Sequence, residues 1–366
     1  MPVYLLRGFR IRSMSATLFF DPACKQPYDT RTLLQQAMGG TEATVTRVAD
    51  ALDALVVQHN RTEVYGRYRS PEKDSGVTSV VINRDSRALP RVRELYPNAR
   101  VYLWLHDQLK PGSKRAGWLG STADLMRERA VTIVCVSDTQ RRGVEAALRT
   151  LRIGDLRTHT IYNPIDDALA PDGSPVDPSK LVFFSSPNKG LKFTLDAFRA
   201  MRRQMPDLRL VVGNPGYKVR KSSLIDGVEY LGPQPQARMH AQVRTALCTF
   251  FPNFVIPETF GLVFAESNAV GTPVLTHDCG AALEIIGDRS QMLPVTAADR
   301  VYETLLHNVS PGWRSGPARL AASLGMFDVY TEKIRAWRAG GRPSVGPDPR
   351  FRLAVIAEQW RALLAA

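Results

Sequence analysis

The sequence lacks several features that would place it in a familiar class. No apolar run approaches the roughly 18–20 residues that cross a bilayer, so we do not expect an integral membrane protein. Its four cysteines form no Cys-x-x-Cys pair and have no histidine at metal-ligand spacing, which fits a reducing cytosol. Arginines interrupt the apolar stretch that precedes Met14, an alternative start, so we expect no secretory signal there. These absences predict a cytoplasmic protein.

The sequence does contain enough apolar material for two cores. Its 366 residues are 44% hydrophobic and 23% charged, which is ordinary for globular proteins. At roughly 100–200 residues per domain, this length favours two domains. The Pro-, Gly- and Asp-rich residues 170–179, just after the turn at 162–166, are typical of a linker. We therefore predict a first domain over residues 1–165 and a second over residues 166–349.

Short apolar strands alternate with amphipathic segments in two successive series. In the first series, the predicted strands are Ala16–Phe20, Val77–Asn83, Val101–His106 and Thr132–Ser137, and the helices include Ala43–Leu55 and Gln140–Leu151. In the second, the strands are Lys180–Ser185, Leu208–Gly213, Val228–Leu231, Thr249–Pro252 and Pro273–Thr276, and the helices include Thr194–Met205 and Phe264–Val270. This rhythm predicts an α/β protein with two doubly wound, Rossmann-like domains that face each other across a cleft.

Positive charge is unevenly distributed along the chain. The net charge is +13, and residues 1–165 hold 25 of the 48 Lys and Arg residues but only 16 of the 35 Asp and Glu residues. Such a surface suits phosphorylated ligands, anionic lipid headgroups or nucleic acid. The basic residues form no dense tract, and no aromatic-basic motif of an RNA-binding protein is present. A solvated arginine-rich face without a partner is the alternative.

The most specific segment runs from Pro257 to Glu266. Pro257 favours an extended lead-in, so Glu258 should lie in a loop and a helix should begin near Gly261, with Glu266 about one turn inside it. The first backbone N–H groups of that helix, on residues 261–263, can hold an anion between the two carboxylates. A diphosphate flanked by two hydroxyl-bearing groups is the ligand that fits this arrangement.

This segment and the following turn, residues 269–274, resemble the E-x7-E signature of the retaining glycosyltransferases of family 4, which have the GT-B fold. The resemblance implies that Glu258 binds hydroxyls of the donor sugar and that Glu266 binds the nucleotide ribose. The residues between them belong to the implied donor site: Thr259, Phe260, Gly261 and Leu262. The resemblance also implies a last helix, within residues 350–366 and containing Trp360, that crosses back onto the first domain.

Three other segments are similar to functional segments of the same family. Consecutive glycines at 39 and 40, with Thr41 as a plausible N-cap, let the backbone approach a phosphate at a helix start, and they resemble the family's glycine loop (G-G-x-E). His106 ends an apolar strand, where a ligand crevice is expected, and matches the family's histidine that contacts the donor sugar. Gly213 stands where the family's backbone contacts the nucleotide.

Lys189 matches the family's phosphate-binding lysine at the start of a helix. An ammonium there can neutralise charge on the leaving nucleoside diphosphate. The sequence departs from the common family pattern, which has an arginine about five residues earlier. Ser185 or Ser186 could bind the phosphate instead, or Lys192 could supply the second cation.

The resemblance implies a retaining transferase that moves a sugar from a UDP-, GDP- or ADP-sugar to the hydroxyl of a glycan or lipid-linked acceptor. His106, Glu258 and Lys189 are its implied catalytic residues. No cofactor or metal is implied, since the family has no metal-binding Asp-x-Asp and none occurs here. With a lipid-linked acceptor, the basic first domain would hold the enzyme against an anionic membrane at its inner face; nucleic acid is not an expected partner.

Two other functions account for fewer of these residues. A sugar-nucleotide epimerase of the same fold would use the diphosphate site but would need no acceptor. A non-catalytic polyanion-binding or nucleic-acid-binding protein would explain the basic surface, but it would leave Glu258, Glu266 and His106 without a role.

Overall fold

The structure is a computed structural model that describes residues 17–214, 225–308, 321 and 325–366. The segment containing Met14 and the turn at Pro215-Gly216 lie outside the described residues. Within them, the chain forms two parallel sheets covered by helices, as the sequence predicts.

The first sheet has seven strands in the order β3-β2-β1-β4-β5-β6-β7, and every pair of neighbours is parallel. These strands are β1 Thr17–Asp21, β2 Leu55–Gln58, β3 Tyr68–Arg69, β4 Ser79–Asn83, β5 Arg100–Leu105, β6 Thr132–Cys135 and β7 Arg157–Thr160. Its helices are α1 Thr30–Gln35, α2 Gly40–Ala51, α3 Leu89–Leu95, α4 Lys114–Glu128 and α5 Asp138–Thr150. All five residues of β4 are buried, as expected for a central strand covered on both faces.

The predicted helix Ala43–Leu55 is wrong at its end. α2 stops at Ala51, Asp53 turns the chain with a positive φ of 53°, and Leu55 already begins β2. The apolar residues after Ala51 continue a helical spacing, but β2 lies between β1 and β3, where strand pairing satisfies its backbone. The polar edge strand β7 has no apolar pattern, so its sequence does not indicate a strand.

The second sheet has six parallel strands in the order β10-β9-β8-β11-β12-β13. These are β8 Asp177–Phe184, β9 Arg209–Asn214, β10 Val228–Pro233, β11 Ala246–Phe250, β12 Val274–His277 and β13 Met292–Leu293. The remaining helices are α6 Leu191–Gln204, α7 Gln236–Arg244, α8 Leu262–Ala269, α9 Ala282–Ile285, α10 Ala297–Asn308, α11 Asp328–Gly340 and α12 Leu353–Ala365. No helix in the described part of the chain is both long and apolar enough to span a lipid bilayer.

The last helix, α12, packs against the first domain rather than the second. Trp360 is fully buried, with its ring 4.8 Å from Trp104 of β5 and 5.8 Å from Phe19 of β1, measured between centroids. The Tyr102 hydroxyl donates a hydrogen bond of 3.0 Å to the Leu363 carbonyl. The core of the first domain is therefore completed by residues that follow the second domain in sequence.

Stability is expected to decrease below pH 7 because of a buried histidine in the second domain. His277 ends β12, with Nε2 3.0 Å from the Tyr330 hydroxyl. Burial lowers the pKa of His277 to about 4, although the charges of Asp299 and Asp278 oppose this shift. Between its ordinary pKa of 6.5 and about 4 the unfolded chain binds a proton that the folded chain excludes, so the unfolding free energy falls with the pH.

Denaturant titrations at pH 7.5 and 5.0 should show this loss, to which His277 contributes roughly 2 kcal/mol and buried His106, whose pKa is also lowered, adds a further part. The His277→Gln variant should lose less between the same two pH values, and His159→Gln, at an exposed position of β7, should behave as the wild type. An equal loss in His277→Gln and wild type would assign the effect to another group.

Candidate functional site

The loop that carries Glu258 is held from across the cleft by the ends of first-domain strands. The Thr259 hydroxyl donates a 2.7 Å hydrogen bond to the carbonyl of His106, directly after β5. The Ser137 hydroxyl, after β6, donates a 2.5 Å hydrogen bond to the Thr259 carbonyl, and Gln108 donates one of 2.7 Å to the Pro257 carbonyl. The two domains therefore meet at this loop, and its position depends on both of them.

Glu258 and Lys189 form an ion pair inside this junction. The Lys189 ammonium, in the loop after β8, lies 2.7 Å from Glu258 Oε2. Glu258 is buried, and among the described residues its Oε1 has no hydrogen-bond partner. Gly280 has a positive φ of 58°, and a Cβ there would lie 2.6 Å from the Glu258 carbonyl oxygen. This close approach requires glycine and fixes the backbone that presents Glu258.

The helix after Glu258 begins at the predicted place. Gly261 is the N-cap of α8, with a positive φ of 88°, and a Cβ there would overlap the Phe264 ring at 2.4 Å. Buried Phe260 packs against Tyr162 and Phe351, which anchors the turn. The first N–H groups of such a helix have no intrahelical acceptor and can bind an anion.

The glycine loop of the first domain lies against this helix start. A Cβ on Gly40 would come within 3.0 Å of Leu262 Cδ1, so glycine permits the two segments to touch. The prediction that Thr41 is the N-cap is wrong: Gly39 is the N-cap of α2 and Thr41 lies within its first turn. No side chain caps this end of α2, so no side chain accepts from its first N–H groups, which also lack intrahelical acceptors.

Glu266 lies on the buried side of α8 between two partners. Arg47 of α2 approaches Oε1 at 3.5 Å, and His240 of α7 approaches Oε2 at 3.4 Å. Burial alone would raise the pKa of Glu266, but hydrogen bonding from His240 and the charge of Arg47 outweigh burial and lower it. Glu266 is therefore ionised at neutral pH. The sequence carries no signal that singles out Arg47 or His240, since neither lies in a recognisable motif.

His106 is buried beside a small cavity of the first domain. Burial, followed by the charge of Arg84, holds the pKa of His106 well below its usual range, so its imidazole is neutral at pH 7. No described residue is hydrogen-bonded to Nε2. The cavity is also lined by Asp107, which pairs with Arg84 at 3.4 Å and Arg115 at 3.0 Å. A neutral imidazole can exchange hydrogen bonds with sugar hydroxyls without repelling positive charge on the sugar.

Three other residues that the sequence suggests for the donor site are Ser185, Lys192 and Gly213. Ser185 follows β8, and the neighbouring Ser186 hydroxyl is hydrogen-bonded to Asn188. Lys192 is ion-paired with Asp196 of its own helix at 2.7 Å. Gly213 lies in β9 and packs closely against α7, since a Cβ at this position would lie only 2.4 Å from the Met239 sulfur. The structure thus brings Gly39, Gly40, Lys189, residues 258–262 and the backbone carbonyl of His106 to one junction, whereas the His106 imidazole lines the first-domain cavity and Lys192 pairs with Asp196.

The sequence does not predict the contact that α9 makes with the start of α5 in the first domain. The carboxylate of Glu284, in α9, accepts 2.8 Å hydrogen bonds from the N–H groups of Asp138 and Thr139 at the start of α5. A carboxylate at a helix N-terminus is stabilised by the helix dipole. Across the part of the chain that the structure describes, no three His, Cys, Asp or Glu side chains are grouped to hold a metal ion.

The fold is one that known structures share. The architecture is the GT-B fold: the structure of WaaG, a glycosyltransferase involved in lipopolysaccharide biosynthesis, superposes with a TM-score of 0.56 over 95% of this chain and all of the other, at 11% identity. Residues 174–300 match the family model described as "Glycosyl transferases group 1". This range includes Lys189, Glu258 and Glu266, so these three residues lie in the segment that is similar to the family.

Two curated proteins are also similar to part of this chain. A phosphatidyl-myo-inositol mannosyltransferase of Mycobacterium tuberculosis is 26% identical over 183 residues, which are 48% of each chain. A D-inositol 3-phosphate glycosyltransferase of Nocardiopsis dassonvillei is 30% identical over 206 residues, 50% of this chain and 48% of the relative. The alignments therefore span about half the length of these relatives.

Proposed function

We propose that the protein is a retaining, metal-independent glycosyltransferase that moves a sugar from a nucleoside diphosphate sugar to an acceptor hydroxyl. The observation that carries this proposal is the junction at Glu258. A carboxylate, the Lys189 ammonium and the uncapped start of α8 lie together there, and the loop of Glu258 is hydrogen-bonded to the backbone carbonyl of His106 from the opposite domain. This set supplies an acceptor for sugar hydroxyls and two positive groups for a diphosphate.

The proposed reaction needs little chemistry from the protein beyond positioning and charge. The acceptor hydroxyl attacks the anomeric carbon on the face that the diphosphate leaves, so that the configuration is retained. The bond between that carbon and the phosphate oxygen breaks, its electron pair stays on the diphosphate, and this oxygen takes the acceptor's proton. Lys189 and the N–H groups of α8 offset the charge that develops there. Contacts across the junction exclude water, which would otherwise compete as an acceptor.

The acceptor side of the proposal rests on the names of the two relatives and on the charge of the first domain. The two relatives are named after phosphatidyl-myo-inositol and D-inositol 3-phosphate, so hydroxyls of this chemistry are the first acceptors to assay. A glycan or lipid-linked saccharide is the general class. The excess of Lys and Arg in residues 1–165 supports contact of the first domain with an anionic membrane when the acceptor is a lipid.

Thermal unfolding with a panel of nucleoside diphosphates and sugar nucleotides, in the presence of EDTA, tests the donor site. One nucleotide at a hundred times its dissociation constant should stabilise the wild type by about 2.7 kcal/mol, seen as a rise in melting temperature. The Glu266→Ala variant should lose this rise, because the ribose loses its carboxylate acceptor.

Glu229→Ala, at an exposed position of β10, is the matched control and should keep the full rise. The rise, rather than the melting temperature itself, is compared, because Glu266→Ala also leaves Arg47 without its ion-pair partner. An undiminished rise in Glu266→Ala would contradict the assignment of Glu266. If no nucleotide stabilises the wild type, the proposed function fails.

A further inference from the structure

Arg47 is a first-domain residue that reaches into the donor side of the second domain. It lies about two turns inside α2, counted from the glycine loop. Its Nη2 donates a 2.5 Å hydrogen bond to Gln236 Oε1, and its Nη1 lies 3.5 Å from Glu266 Oε1. Only 7% of Arg47 and 4% of Glu266 are exposed, so this is a buried contact between the domains rather than a surface ion pair.

Both carboxylate oxygens of Glu266 already have partners. Arg47 faces Oε1 and His240 faces Oε2 at 3.4 Å, and His240 is itself buried on α7. A buried carboxylate is stable as an anion only while its charge is paired and hydrogen-bonded. The ion pair therefore keeps Glu266 ionised when no ligand is present, and it also covers the oxygen that a ligand would use.

Under the proposed function, the Glu266 carboxylate must also bind the ribose of the donor. The ribose of a nucleoside diphosphate brings hydroxyl donors to Glu266, and they need at least one carboxylate oxygen that is free to accept them. We propose that Arg47 is an interdomain latch that closes the ribose subsite of the empty enzyme, and that the ribose of the donor replaces Arg47 on Oε1 while His240 stays on Oε2. This inference rests on the proposed function.

The geometry favours such an exchange. The separation of 3.5 Å between Arg47 and Glu266 is at the long end of hydrogen bonding, so little is lost when it breaks. The much shorter contact with Gln236 keeps a partner for the displaced guanidinium on the same side of the cleft.

A closed latch lowers the apparent affinity for a nucleoside diphosphate by the fraction of enzyme that is open. Pyrophosphate has no ribose, so its affinity does not depend on the latch. Calorimetric titration of UDP, GDP, ADP and pyrophosphate into the full chain measures the affinity for each nucleotide and the affinity for pyrophosphate. Arg47→Met, which keeps the length of the side chain without its charge, should bind the preferred nucleoside diphosphate about fivefold more tightly, for a latch closed in roughly four-fifths of the molecules. Its affinity for pyrophosphate should be unchanged.

Arg91→Met is the matched control, because Arg91 pairs with Glu94 on the exposed face of α3; it should bind both probes as the wild type does. Arg47→Lys replaces the guanidinium fork by a single ammonium, which cannot hold Gln236 and Glu266 together, and should give an intermediate gain. If Arg47→Met does not fold, Arg47→Lys decides by the same criterion.

Equal or weaker nucleotide binding by these variants would overturn the latch, and weaker binding would mean that Arg47 contacts the nucleotide itself. A fivefold gain for pyrophosphate as well would also overturn it, since the ribose would then have no part. If the wild type binds none of the three nucleotides, the proposed function fails and the latch fails with it.

Discussion

Transfer by the Lys189→Ala variant is expected to be about 100- to 1,000-fold slower than transfer by the wild type, a range typical of removing one group that stabilises developing charge. Lys189 is the cation whose ammonium lies 2.7 Å from Glu258, in the junction between the domains. The substitution removes the ammonium whose positive charge offsets the negative charge of the leaving diphosphate. It also leaves Glu258 without its ion-pair partner. Steady-state rates with the donor identified by the thermal panel measure the effect, which should be mainly in kcat.

Lys192→Ala is a closely matched control. Lys192 is three residues further along the same helix start, but its ammonium is paired with Asp196. Its variant should keep its rate within about twofold, in line with the small effects of surface ion pairs. A large loss in Lys192→Ala and a small one in Lys189→Ala would reverse the assignment and make Lys192 the phosphate-binding cation.

Trp360→Ala is expected to destabilise the first domain by about 3–5 kcal/mol, the cost of removing a large buried aromatic side chain. Trp360 is fully buried against Trp104 and Phe19. Trp104 in turn stacks on His106, with ring centroids 4.5 Å apart. The cavity left by this substitution should therefore lower both the denaturant midpoint of the first domain and the transfer rate, through a loosened His106.

Two other variants calibrate that result. Trp360→Phe should cost less, since the indole N–H of Trp360 has no hydrogen-bond partner among the described residues. Val355→Ala, at an exposed position of the same helix, should change stability by less than about 0.5 kcal/mol. A loss below 1 kcal/mol in Trp360→Ala would mean that α12 contributes little to the first-domain core. Circular dichroism during denaturant unfolding measures all three.

The fold could be predicted because its signals are local. Buried parallel strands such as β4 are continuous apolar runs, and a glycine at 261 marks the start of α8. Where local signals conflict with pairing, prediction fails: the run after Ala51 looks helical, but β2 exists because two neighbouring strands need a partner between them. The polar edge strand β7 is likewise recognisable only by the strand it joins.

The candidate site likewise contains some residues that local sequence patterns predict and others that they do not. Glu258, Lys189 and His106 lie in segments whose spacing and strand ends point to a ligand; the structure pairs Glu258 with Lys189 and hydrogen-bonds the loop of Glu258 to the His106 backbone. Arg47, His240 and Glu284 have no such signal, because what distinguishes them is a partner more than a hundred residues away or in another helix. Contacts between domains are set by how two surfaces meet, and no local pattern encodes that.

The return of α12 to the first domain has a consequence for biosynthesis. The first domain is synthesised first, but Phe19 and Trp104 cannot pack against Trp360 until the whole second domain has been synthesised. During that interval the first domain exposes an apolar surface that its own residues do not cover. Nascent chains are therefore most vulnerable to aggregation or proteolysis late in synthesis, and the order in which residues are made differs from the order in which the two cores are finished.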